Sequence, residues 1–265
     1  MHSIGHEPKI IFHLLGHIVK VNPDIFLMTW LVMCIIIILA FFATRKLSNK
    51  PKALQNIFEL LYLTFRDLVI STLGEKDARK YTPYIVTLFI FILFCNWIAV
   101  LPPFHRFIYL CLEHTPYLKH MDFSFLLKLP VEFKEPTKYL STTLGLALIS
   151  FFVVHTTAIK TKGLGEYLKY YMHPVHAHGI FLWFFFLNPF LYLNIIGELA
   201  KVVSHSFRLF GNILGGAIII IIVSWLLKYL LLPPLLLLFF GLIVGGIQAF
   251  VFTMLALTYI AVARE

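Results

Sequence analysis

The chain has 265 residues, 60% of them hydrophobic and 13% charged, with a mean hydropathy of +0.86, which excludes an ordinary soluble globular protein and points to a polytopic membrane protein. The net charge of +9 would suit a nucleic-acid binder, yet the basic residues are scattered between apolar spans and form no aromatic-interleaved patch, so orientation in a membrane explains them better. Cys34, Cys95 and Cys111 are odd in number, show no metal-ligand spacing and read as small buried hydrophobes.

In chain order, 1–23 forms an external N-terminal segment whose short apolar patch, Ile10 to Val19, is interrupted by His13 and His17 and is expected to be an interfacial helix. Residues 25–44 are uncharged for about one bilayer crossing and are followed by Arg45, Lys46, Lys50 and Lys52, so they make the first span. That run lacks an A-x-A-like cleavage site and reads as a retained anchor. Residues 52–73 repeat Leu54, Ile57, Phe58, Leu61, Phe65 and Leu68 at helical intervals, the pattern of an amphipathic helix lying flat on the bilayer. Spans at 84–101 and 139–159 come next, separated by a long loop.

Asn188-Pro189 offers an N-cap and a first-turn proline, and no further proline occurs until Pro233-Pro234. A helix over 189–228 would be ~60 Å long against ~30 Å of hydrocarbon, so it is expected to be broken or strongly oblique. Residues 235–263 return as its partner, with Gly241, Gly245 and Gln248 on one face and Gly246 beside them; close helix packing and a sliding surface both fit that face. The fold class is therefore all-α and integral to the membrane, one membrane domain with about five crossings, an interfacial helix and a tilted C-terminal hairpin. Segments 45–82, 159–177 and 264–265 carry eight, three and one Lys or Arg, against two, five and one in 1–23, 102–138 and the turn at Lys228. The positive-inside rule then puts the N-terminus outside and the C-terminus in the cytoplasm.

Within this frame one stretch stands out. Glu198, Lys201, His205, Arg208 and Asn212 step by three, four, three and four residues and share one helical stripe. An arginine at bilayer depth costs roughly 2.5–3.5 kcal/mol on insertion scales, so it normally faces protein or a water-filled cavity. Because arginine effectively never deprotonates, it cannot pass a proton onward but can hold a partner carboxylate ionised, which makes it a gate.

Phe207-Arg208-Leu209-Phe210-Gly211-Asn212, Gly245-Gly246-Ile247-Gln248-Ala249-Phe250-Val251-Phe252 and Leu257-Thr258-Tyr259-Ile260 resemble subunit a of bacterial and plastid F-type ATP synthases. The likeness extends to 88–94 and 143–148 and to the order of spans from about Ile25 onward. It implies an ion-conducting stator, one copy per complex, working with a ring of c subunits and with peripheral-stalk b subunits. Two offset half-channels would carry the ion, most simply a proton. It implies that Arg208 meets the ring carboxylate, with Gln248 and Asn212 as its motif companions, and that Glu198 is the inner-channel carboxylate; Lys201 and His205 share the ion-path stripe, where tuning or relaying protons and hydrogen-bonded packing both fit His205. No cofactor, metal or nucleic acid is implied. The match to bacterial and plastid forms favours a bacterial plasma membrane over a thylakoid.

Three positions depart from the family. Ala217 stands where relatives usually have glutamate, Gly241 where some have histidine, and Tyr139 where an acidic residue is usual. The outer half-channel must then draw on Glu135, Ser141, Thr142, Thr143 and Asn96, among which the sequence does not choose. His155 reads as a satisfied or interfacial histidine. An independent secondary transporter with Arg208 binding an anionic substrate is the alternative; no internal repeat is visible to support it. A third possibility is an assembly relic without conduction. No G-x-x-x-x-G-K-[ST] motif appears, so no nucleotide site is expected in this chain.

Overall fold

The structure is a computed structural model that describes residues 10–14, 17–21, 23–45, 53–100, 135–167, 189–226 and 232–264. Cys111, most of the loop at 105–135, the segment at 169–177 and the turn at Lys228 lie outside these residues. The membrane part is helical: α1 (Pro23–Thr44), α2 (Ala53–Leu73), α3 (Glu75–Trp97), α4 (Leu140–Lys162), α5 (Pro189–Leu226), α6 (Leu232–Leu238) and α7 (Gly245–Arg264). Five stretches are long and apolar enough to cross a membrane: Ile25–Thr44, Glu75–Trp97, Leu140–Lys162, Leu191–Leu226 and Leu235–Arg264. These are the expected five spans.

The N-terminal segment differs from expectation. Ile10–Leu14 and His17–Val21 form two antiparallel strands, with Ile10 opposite Val21 and Leu14 opposite His17, instead of an interfacial helix. The physical reason is in the residues: Ile10, Ile11, Ile18, Val19 and Val21 are β-branched, and each apolar patch is too short to sustain a helix alone.

The second span also begins earlier than its apolar residues do. α3 runs through Pro83 and takes in the charged turns from Glu75 to Lys80. Gly74, at φ 83°, supplies the left-handed corner that lets α2 fold back on α3. Phe65 and Val69 of α2 are thereby buried with Ala78, Tyr81 and Ile85 of α3 and Leu257 and Ile260 of α7. The expected surface helix thus has protein along one face, while Ile57, Leu60 and Leu63 stay exposed on another. Arg264 ties the end of α7 to this corner through Asp77 and Leu73 O.

α5 is one unbroken helix of 38 residues, ~57 Å at ~1.5 Å per residue. Of the two expected options, breakage is absent, which leaves an oblique or overhanging passage through ~30 Å of hydrocarbon. Its partner is a single helical run from Leu232 to Arg264 in which Phe239–Val244 widens into a π-helical segment. The two prolines fall in the first turn of α6, where the missing amide donor costs nothing.

The glycines of this run decide between packing and sliding. A Cβ on Gly241 would lie 2.1 Å from Val100 Cγ2, one on Gly245 3.1 Å from Asn96 Cβ, and one on Gly246 3.8 Å from Leu93 Cδ1. All three face α3 and its 3-10 extension, so they serve close helix packing. Beside this seam Leu88, Ile92, Leu209, Ile213, Ala249 and Phe252 form the core that joins α3, α5 and α7. Cys95 is buried as expected, whereas Cys34 is exposed, because α1 keeps one broad apolar side uncovered by protein.

Candidate functional site

The stripe on α5 does not act as one surface. At 100° per residue, Glu198, His205 and Asn212 lie within about 40° of one another, while Lys201 and Arg208 sit ~60–80° to one side of Glu198. His205 is buried, Glu198 and Asn212 are half-buried, and Lys201 and Arg208 are exposed. The sequence placed the five on one face; the packing of α4 and α7 divides that face along its length.

Arg208 occupies the exposed edge. Among the described residues no carboxylate pairs with its guanidinium. Next to it lie the exposed Phe207 and Gly211, and an added Cβ on Gly211 or Gly215 would meet nothing within 4 Å. Gln248 Nε2 donates to Arg208 O at 2.8 Å, so the glutamine holds the backbone of the arginine and leaves its side chain free to face outward.

Toward the C-terminal ends of α4 and α7, Glu198, Lys201, His205, His155, Lys162 and Tyr167 line one cavity with Tyr259 and Ser150. Its volume of about 80 Å³ is enough for several waters. Lys201 Nζ donates to Glu198 Oε1 at 2.7 Å, and Glu198 Oε2 stands 4.0 Å from His155 Nε2. The other ring nitrogen of His155, Nδ1, is 2.7 Å from the Tyr167 hydroxyl. His205 packs its ring 3.7 Å from that of Phe252, and among the described residues neither of its nitrogens has a hydrogen-bond partner. A buried imidazole without partners is costly in a dry core, and the ring borders the cavity.

The groups weighed for an outer path are placed differently. Asn96 is fully buried, donates from Nδ2 to Gly245 O at 2.8 Å and accepts from Thr137 Oγ1 at 2.7 Å. Trp97 Nε1 donates to Leu242 O at 3.1 Å, so α3 caps two carbonyls where the π segment enters α7. Thr143 meets Ser206 at 3.1 Å and joins α4 to α5 two residues before Arg208. Ser141 is exposed and Thr142 half-buried. Glu135, before the 3-10 turn Pro136–Lys138, is half-buried; burial pushes its carboxyl up to about 7, with Lys138 opposing.

Two residues of the cavity were not assigned from sequence. From the sequence His155 reads as a satisfied or interfacial histidine, and Tyr167 carries no assigned role. The available signal was the run Phe151, His155, Ala158 and Lys162, spaced by four, three and four on α4, which faces the Glu198–His205 side of α5. Among the described residues no group of three or more His, Cys, Asp or Glu could hold a metal ion. A buried imidazole beside a cavity, an outward arginine in a membrane helix and a glutamine bracing it lie within residues 26–261, which the ATP synthase A chain family model matches, and the chain belongs to that family.

Proposed function

We propose that this chain, an a subunit in the membrane sector of an F-type ATP synthase, conducts protons along two offset half-channels against the ring of c subunits and is not itself catalytic. The observation that carries the reading is Arg208, a permanent cation on the uncovered edge of a membrane helix with no carboxylate beside it among the described residues. An intramembrane charge so placed calls for a partner, and a carboxylate on another membrane helix would supply one. Gly211 and Gly215 allow such a helix to come close. The cavity at Glu198 and His205 supports an inner path, and Asn212 lies one turn beyond Arg208 on the same helix. Glu135, Ser141, Thr142, Thr143 and Asn96 remain the groups for an outer path.

In this reading the ring moves past α5, the stalk b subunits hold the chain still, and the protein sits in a bacterial plasma membrane with its N-terminus outside. Membership of the family sets aside an independent transporter. The test is proximity: Phe207→Cys or Gly211→Cys, paired with single cysteines along the outer helix of the c subunit, should cross-link in membranes on oxidation. Val32→Cys, on the buried side of α1, should not. Cross-linking at Val32→Cys alone would contradict the assignment of the ring-facing surface.

A further inference from the structure

The cavity contains a pair of side chains that the arginine and its companions leave unexplained. His155 comes from α4, Glu198 from α5, and their facing atoms are 4.0 Å apart across the space. Tyr167 approaches the far nitrogen of the same imidazole at 2.7 Å, and Phe151 packs at 84° to the ring with centroids 3.8 Å apart. A histidine needed only for packing would not require fixing at both the ring face and Nδ1 while its Nε2 is left toward a cavity. Lys201 holds Glu198 from the opposite side at 2.7 Å, so the carboxylate is oriented as well.

We propose that His155 is a proton-transfer residue of the inner path, and that Tyr167 positions it by holding Nδ1. This rests on the reading of the chain as a proton-conducting stator. In the tautomer that donates Nδ1–H to the Tyr167 oxygen, Nε2 keeps a lone pair directed into the cavity. A proton arriving through cavity water binds at Nε2, and the imidazolium is stabilised by the Glu198 carboxylate. Loss of that same proton to water at the mouth restores the neutral ring, so nothing is consumed. Lys201 and Lys162 oppose the charged form, Glu198 favours it, and His205, Tyr167 and Tyr259 are the remaining titratable groups lining the space. Imidazole is the side chain whose ordinary titration range suits repeated uptake and release near neutrality.

The test uses inverted membrane vesicles carrying the whole complex, with ATP-driven proton pumping measured from external pH 5.5 to 8.5. Co-purification of the ring is checked for every variant. His155→Ala should lower pumping by at least about tenfold, a conservative share of the ~10²–10⁴ that positioned proton-transfer groups contribute, and added imidazole should restore part of it. His155→Gln, which keeps a polar side chain of similar reach, should show the same loss even if His155→Ala fails to assemble. Tyr167→Phe should shift the pH midpoint of pumping and leave assembly intact, an effect a purely structural tyrosine would not produce. Assembled His155→Gln with wild-type rate and pH profile would overturn the proposal. Arg208→Ala in the same vesicles separates the two levels: if it stops pumping while His155→Gln does not, the stator reading stands and the role of His155 falls.

Discussion

The two ends of α7 solve opposite problems with similar residues. At its start, Asn96 and Trp97 meet the carbonyls at the edge of the π segment, Thr137 donates to the Asn96 side-chain oxygen, Gly241 and Gly245 bring α3 close, and every donor just named has its acceptor. At its other end, His205 has no partner among the described residues, His155 stops 4.0 Å short of Glu198, and a cavity remains between the helices. Polar groups that satisfy one another fasten helices; polar groups that do not are left for water and for a moving ion. On the proposed function, hydrogen-bond satisfaction rather than residue type separates the groups that fasten helices from those offered for an ion path.

That contrast can be broken at its tightest point. Gly241→Ala puts a methyl against Val100 and should cost about 1–3 kcal/mol, the usual penalty for overfilling a packed core. The expected readout is a lower temperature at which the chain dissociates from the solubilised complex, and Val100→Ala added to it should recover most of the loss. If Gly241→Ala alone behaves as wild type, the seam is looser than described. Asn96→Ala is next: it strands Thr137 and Gly245 O, and should lower the same temperature by an amount matching ~1–2 kcal/mol, in line with interhelical hydrogen bonds in membranes. A drop in proton flux with no change in stability would instead place Asn96 in the path.

The smallest effect sharpens the comparison through pH. Glu135 is raised from 4.5 to about 7 by burial, so its neutral carboxyl favours the folded chain fully below about 4.5, and that contribution is lost as pH rises through about 7. Glu135→Gln should flatten this part of the stability profile of the solubilised complex. An unchanged slope between pH 4.5 and 7 would assign it to other groups.

Much of this architecture could be read from the residues because it is written in long signals. An uncharged run of about twenty residues, or a helix opened by Asn188-Pro189 with no proline for a further forty positions, leaves few alternatives. Arg208 was legible for the same reason, since a charge at that depth demands an explanation whatever its surroundings. The N-terminal hairpin was missed because five-residue apolar patches fit either secondary structure until β-branching is weighed. The division of the α5 stripe was not legible at all. Whether a residue ~40° off the stripe's centre is covered depends on where α4 and α7 pack, which no periodicity within α5 encodes. His155 was hidden in the same way, since its partner Glu198 lies on another helix and their approach is set by tertiary packing. Gly241 shows the converse: its departure from the family pattern reads as a lost polar group, while Val100 leaves no room there for a side chain.

The most direct test of the central claim is ATP-driven proton pumping in inverted vesicles that carry Arg208→Ala. The side chain is exposed and makes no pairing within the described chain, so the variant should assemble with its ring in normal yield. Pumping should nonetheless be abolished, and passive proton leak through the stripped membrane sector should change with it. Normal pumping by an assembled Arg208→Ala complex would contradict the claim and leave this arginine as a structural anchor.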